Sequence, residues 1–296
     1  MPDRCAAGIL RAVSGVRLRA IRRFHWARDV EEALSLLAAY AGQGALLAGG
    51  VDLARSARTD LEGIIDITGI GLSYVRKVDG GLRIGATTTL TDLLMHSAIA
   101  EYLGGVLAET LRHVASPPLR NMATAGGAVV SAHPWADIPT ALVALGAEVR
   151  WQAEREAHAP LEDLYRTAFR GTLRPAVVTE IALPRWEGAF AFEKVSLSRS
   201  DIALLNACCG LGLAEGRIAW ARVALGATPD RAQRLHWVEE ALVGEVPGTD
   251  LWQAVQVNVC DRVEVGDDRR ASAAWRRAVA GALVTRALAR AASRTD

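Results

Sequence analysis

Lysine is almost absent from this chain. Of its 34 basic residues only Lys77 and Lys194 are lysines. So one-sided a use of arginine reads as base composition rather than as the mark of a partner, and it makes each remaining lysine conspicuous. Cysteine is scarce too, with four in 296 residues and two of them adjacent (Cys208, Cys209). That is no disulfide framework, and a reduced, cytoplasmic setting is expected. Cys5, Cys208, Cys209 and Cys260 also lack any iron–sulfur cluster spacing. No run approaches the roughly 18 consecutive apolar residues of a membrane span. An excess of one charge is missing as well: 34 basic against 33 acidic residues leave +1, no footprint for nucleic acid. The six histidines (His25, His96, His113, His133, His158, His236) form no metal-binding spacing.

What is present is apolar material: 51% of residues are hydrophobic and 23% charged, enough for a sizeable core. The length suits two domains of about 150 residues. Residues 1–20 hold an apolar piece too short for a secretory signal, and are expected to be a disordered extension. Asp29 with Glu32 fits a capping box before a helix that Gly42 stops. A buried strand over 45–48 runs into Gly49-Gly50. Strands follow near 64–67 and 82–86, with Thr91 as cap of the next helix. The pattern then predicts a helix over 100–114, extended backbone at Pro117-Pro118, a helix over 137–145, and strands over 147–151 and 177–183. Patterning halts at 184–188 and resumes on another plan: strands over 189–195, 202–214 and 217–225, then helices over 230–243, 249–260 and 272–292. The expectation is an α+β chain, with one domain over 21–186 and a smaller sheet-plus-helices domain over 187–296.

Two segments carry chemistry. Leu46-Leu47-Ala48-Gly49-Gly50-Val51-Asp52-Leu53 sets two glycines directly after a strand. Residues without Cβ let the backbone turn sharply and present consecutive N–H groups, which suit pyrophosphate oxygens; an ordinary turn would read the same. Thr124-Ala125-Gly126-Gly127-Ala128 repeats the pair and adds a hydroxyl, and downstream Asp137 offers a carboxylate to sugar hydroxyls. Two Gly-Gly segments 77 residues apart suggest a dinucleotide held between them. Neither has the G-x-G-x-x-G spacing, and Gly210, Gly212 and Gly216 fail it because Gly216 belongs to a hairpin turn.

The combination LLAGGVDL (46–53), LRIGATTTL (82–90), RNMATAGGAVVSAHPWADIP (120–139), FEKVSLSRSDIALLN (192–206), ARVALGATP (221–229) and DDRRASAAWRRAVAGALVTRAL (267–288) resembles the FAD-binding medium subunit of molybdenum hydroxylases, the carbon monoxide dehydrogenase and xanthine dehydrogenase type. The resemblance implies a PCMH/VAO-type FAD-binding fold of two α/β subdomains, followed by the family's small C-terminal domain. It implies FAD with its pyrophosphate between the two Gly-Gly segments. Asp137 matches a ribose-contacting position, Lys194 one near the flavin, Val178 an apolar one, and Val114 joins them as a cofactor-binding position. A lysine there would stabilise the anionic reduced flavin; a solvated strand lysine would read the same.

Three departures stand out. Val51 replaces a usual Thr, Ser or Asn, Ala128 replaces Asn, and His133 replaces a frequent acid before Pro134. The two lost hydrogen-bonding side chains are worth about 0.5–1.5 kcal/mol each. The resemblance further implies an oxidoreductase subunit that accepts electrons from a [2Fe-2S] small subunit, beside a molybdopterin-binding large subunit, in a dimer of heterotrimers. The surface around the second segment, Trp135 included, is expected to face the relay partner. A stand-alone flavin oxidoreductase, or a scaffold with weak or no flavin, remain open alternatives.

Overall fold

The computed structural model describes residues 21–55, 58–167 and 175–295; the expected 1–20 extension, with Cys5, lies outside them. Three sheets organise the described residues. Arg23–Trp26 (β1), Gly44–Leu47 (β2) and Gly63–Asp66 (β3) form a parallel sheet in the order β1-β3-β2. Helix Val30–Ala39 packs on it, and its cap is as expected: Asp29 Oδ1 accepts from the Glu32 amide at 2.8 Å. The return bond differs, since the Glu32 carboxylate takes the Arg28 amide.

The second sheet is antiparallel. Val75–Val78 (β4), Gly81–Gly85 (β5), Glu148–Gln152 (β6), Glu156–Pro160 (β7) and Val177–Leu183 (β8) lie in the order β4-β5-β8-β6-β7. Its buried face, with Ile84, Val149 and Ile181, packs with helices Leu90–Met95, Val106–Arg112 and Asp137–Ala144 into the main core.

Three local expectations change here. Thr89, not Thr91, caps helix Leu90–Met95 by accepting from the Asp92 amide at 3.1 Å; Thr91 instead donates to Asn121 Oδ1. The helix expected over 100–114 is broken into Ser97–Glu101 and Val106–Arg112. Leu103, Gly104 and Gly105 take φ of 50°, 65° and 80°, which no helix accommodates. Pro117 and Pro118 open a helix, Pro117–Met122, rather than extended chain. In a first turn their missing N–H groups have no helical acceptor to lose, and only Ser116 before them is extended.

Ala189–Val195 (β9), Leu205–Ala214 (β10), Arg217–Gly226 (β11) and Gln233–Arg234 (β12) form an antiparallel sheet in the order β12-β11-β10-β9. Strand β12 takes residues expected to be helical, so the helix there is only His236–Leu242. Because side chains alternate across a strand, this sheet is a shared wall. Phe190, Phe192, Cys208 and Ala224 join the main core. Ala191, Ala207, Cys209 and Val223 join a second core under helices His236–Leu242, Thr249–Arg262 and Ala273–Ala292. Hydrogen bonds stitch the seam: Arg222 Nη2 to the Val143 carbonyl at 3.0 Å, Trp186 Nε1 to the Leu145 carbonyl at 2.9 Å, and Arg234 to Glu162 at 2.9 Å. Burial pushes the Arg222 guanidinium down to about 10. Among the described residues no helix is long and apolar enough to cross a membrane, and no group of three or more His, Cys, Asp or Glu could hold a metal ion.

Candidate cofactor site

Strand β2 delivers Leu46 and Leu47 half-buried, and Ala48, Gly49 and Gly50 turn the chain into the short helix Val51–Arg55. Gly50 makes the turn with φ +70°, a conformation open to glycine at no steric penalty. Gly49 serves differently. A Cβ there would run into the Met122 carbonyl, so this glycine lets the first segment lie directly against the lead-in of the second. The first-turn amides of Val51, Asp52 and Leu53 have no acceptor within their own helix, the usual state of a helix start.

The second Gly-Gly pair is helical rather than a loop. Thr124 is the N-cap of helix Ala125–Ser131, and its Oγ1 accepts from the Gly127 amide at 3.2 Å. The Ala125 amide donates to the Thr88 carbonyl, that of Gly126 to Ala86, and that of Ala128 to Thr124. Four amides expected to serve a phosphate are thus engaged within the protein, which leaves the Thr124 O–H as a donor. Gly126 is a packing glycine, since a Cβ would meet that of Ala86 at 2.8 Å. Gly127 is exposed, and a Cβ there would touch only Thr124 Oγ1, at 3.0 Å.

Asp137 and Lys194, read separately in the sequence, are partners. Lys194 Nζ lies 2.7 Å from Asp137 Oδ2, with side chains 2% and 5% exposed. The ammonium also donates to the His113 carbonyl at 3.1 Å. Asn206, the cross-strand neighbour of Lys194 between β9 and β10, donates to Asp137 Oδ1 at 2.7 Å and accepts from Thr140 Oγ1 at 2.9 Å. Burial pushes the Asp137 carboxyl up, against the pull of Lys194 and Asn206. Burial, then the nearby ammonium, pushes His113 down. Lys194 is therefore no solvated strand residue. Sequence reasoning misses Asn206, whose one signal is an amide inside an otherwise apolar strand.

Val114 follows His113, and Arg120 Nη1 clasps the Val114 and Ala115 carbonyls at 2.7 and 2.8 Å. Val178, 8% exposed, sits in the main core with Trp151 as its cross-strand partner. Ala128 is half-buried against the same core. His133 Nε2 meets Asp52 Oδ1 at 2.8 Å and holds that carboxyl below the usual range. Trp135 is half-buried, stacked on His133 and in contact with the Arg270 guanidinium. The residues present fit a dinucleotide: a left-handed glycine, a helix start whose first amides have no acceptor within their own helix, and an exposed Gly127 where a Cβ would meet only the Thr124 hydroxyl oxygen.

The chain is similar to known proteins over most of its length. Residues 19–186 match the family described as FAD binding domain in molybdopterin dehydrogenase, and residues 190–291 match the CO dehydrogenase flavoprotein C-terminal domain. The chain is 30% identical to the 6-hydroxypseudooxynicotine dehydrogenase complex subunit alpha of Paenarthrobacter nicotinovorans, covering 90% of this chain and 93% of that one. It is 29% identical to the caffeine dehydrogenase subunit beta of Pseudomonas sp. strain CBB1, with the same coverage. Its fold superposes on a chain of the carbon monoxide dehydrogenase of Hydrogenophaga pseudoflava with TM-score 0.86 and 28% identity, covering 93% of this chain and 98% of the other. The chain belongs to the FAD-binding medium subunits of molybdenum hydroxylase-type dehydrogenases, an oxidoreductase family in which this subunit's cofactor is FAD.

Proposed function

We propose that this chain binds FAD between its two glycine segments and passes electrons from a [2Fe-2S] small subunit to an external acceptor, within a cytoplasmic molybdopterin-dependent hydroxylase. When bound, FAD supplies exchange between one-electron and two-electron transfer. The observation that carries the reading is the apposition of the two segments, Gly49 lying against the Met122 carbonyl. Amides of Val51, Asp52 and Leu53 and the Thr124 hydroxyl are the donors for the pyrophosphate; Gly50 and Gly127 leave it room. Residues 46–48, 125, 126 and 128 shape the cradle. Asp137, its carboxylate fixed by Lys194 and Asn206, takes the ribose side, while Lys194 and Val114 lie at the flavin side and Val178 backs the sheet.

Assembly follows from the relay. The relatives' names, "medium chain", "subunit beta" and "complex subunit alpha", are those of complex components, which supports partnership with a molybdopterin-binding large subunit and a [2Fe-2S] small one, as a dimer of heterotrimers. Exposed Leu119 (43%) and Met122 (53%), on the helix leading into Thr124, supply an apolar face for the small subunit. The division at 186/187 is supported by the change of sheet. Purified protein should show flavin absorbance or acquire it with added FAD, and the cognate small subunit should co-elute. A colourless chain that ignores FAD would overturn the reading.

A further inference from the structure

Helix Val51–Arg55 buries none of its residues. A segment with so little packing of its own is placed by its polar links, and among the described residues these run through Asp52. His133 Nε2 lies 2.8 Å from Asp52 Oδ1, with Ser131 beside the same carboxylate. His133 is itself held. Its ring stacks on Trp135 with centroids 4.7 Å apart and planes 10° apart. The Arg270 guanidinium carbon sits 4.6 Å from the Trp135 ring centroid. Between the two residues in sequence, the Pro134 carbonyl accepts from the Ala227 amide at 2.7 Å.

Arg270 does not float. Its amide donates to Asp268 Oδ1 at 2.7 Å, and Arg276 Nη2 lies 2.8 Å from the same oxygen. Arg276 is 1% exposed and also donates to the Leu204, Gly266 and Ala271 carbonyls. A continuous chain of contacts thus leads from the first glycine segment, through two rings and two guanidinium groups, into the C-terminal domain.

We propose that His133 is the positioning residue that holds the first glycine segment closed on bound FAD, through Asp52, with its own orientation set by Trp135 and Arg270. The proposal rests on the FAD reading above. It makes the C-terminal domain a determinant of cofactor retention although none of its residues in this chain need touch the pyrophosphate.

The test uses the full chain and the variants His133→Ala, His133→Gln, Asp52→Asn, Arg270→Ala and the double variant Asp52→Asn/His133→Ala. FAD release is followed by flavin fluorescence after dilution, and amide exchange of residues 51–55 is measured without FAD. His133→Ala should release FAD about tenfold faster, the scale of one hydrogen bond to a charged group. His133→Gln, which can still donate to Asp52, should recover most of that, and the double variant should be no faster than either single one. Arg270→Ala should speed release only while His133 is present. Unchanged release in His133→Ala, or additive effects in the double variant, would overturn the clamp. If the parent chain takes up no FAD, the functional reading fails by itself. The clamp is then judged on exchange alone: faster exchange of residues 51–55 in His133→Ala upholds it, and unchanged exchange overturns it.

Discussion

Lys194 and Asp137 neutralise one another inside the protein, nitrogen to oxygen at 2.7 Å, at the junction of the strand Ala189–Val195 with the start of helix Asp137–Ala144. Each is thereby fixed, and neither is free to move toward a ligand as a lone charge. Removing one partner of a buried pair strands the other charge, at a typical cost of about 3–5 kcal/mol. Lys194→Met should lower the urea-derived stability by that amount. Lys194→Met combined with Asp137→Asn should regain at least half, because no charge is left buried and Asn206 keeps a partner. A loss below about 1 kcal/mol in the single variant would mean that the lysine is solvated after all.

Three of the four glycines of the two segments should separate into two kinds. Gly49→Ala and Gly126→Ala collide with the Met122 carbonyl and with Ala86, so both should lower the thermal midpoint and lose FAD together. A Cβ at position 127 would meet only a hydroxyl oxygen, at an exposed site, and glycine and valine differ by less than about 0.5 kcal/mol as helix residues. Gly127→Val should keep the midpoint and still lose FAD. Calorimetry beside flavin absorbance distinguishes the classes; full occupancy in Gly127→Val would remove the second segment from the cofactor site.

Acid should loosen the C-terminal anchor in a defined window. Burial disfavours the ionised Asp268 carboxyl, but bonds from Arg276 and from the Arg270 and Ala271 amides outweigh it and hold the group down at about 2, against an ordinary 3.8. A carboxyl lowered on folding contributes fully above its unfolded value and is lost as pH falls through the folded one. Stability carried by Asp268 should therefore be complete above pH 3.8 and drain away between there and about 2. Urea midpoints of Asp268→Asn and the parent should converge on acidification; a constant gap down to pH 2 would show that the carboxylate's charge is not what matters.

Cys208 and Cys209 should be chemically silent. Both are fully buried on opposite faces of one strand, and burial pushes both thiols well up. Thiolate is the reactive form, so peptide-resolved alkylation of the native chain should label neither, and should label both once urea unfolds it. Labelling of Cys208 in the folded state would mean that the wall between the two cores opens.

Periodicity and local chemistry were enough for much of the fold. The strands at 189–195 and 217–225 were legible as short, largely apolar segments, as suits a sheet that meets a core on each face. The Asp29 cap and the turn at Gly50 were legible because a cap and a left-handed turn are satisfied within a few residues. The two glycine segments, in order with the motifs at 82–90, 192–206, 221–229 and 267–288, likewise carry the family resemblance. What only the tertiary structure decided are the pairings across long sequence separations: Asp137 with Lys194, 57 residues apart, and Asp52 with His133, 81 apart. It also decided that Gly126 and its neighbours begin a helix whose amides are already engaged. No local preference encodes such contacts. A carboxylate or an amide looks the same in sequence whether its partner is water, a cofactor or a side chain folded in from another sheet, and burial settles which of these it meets.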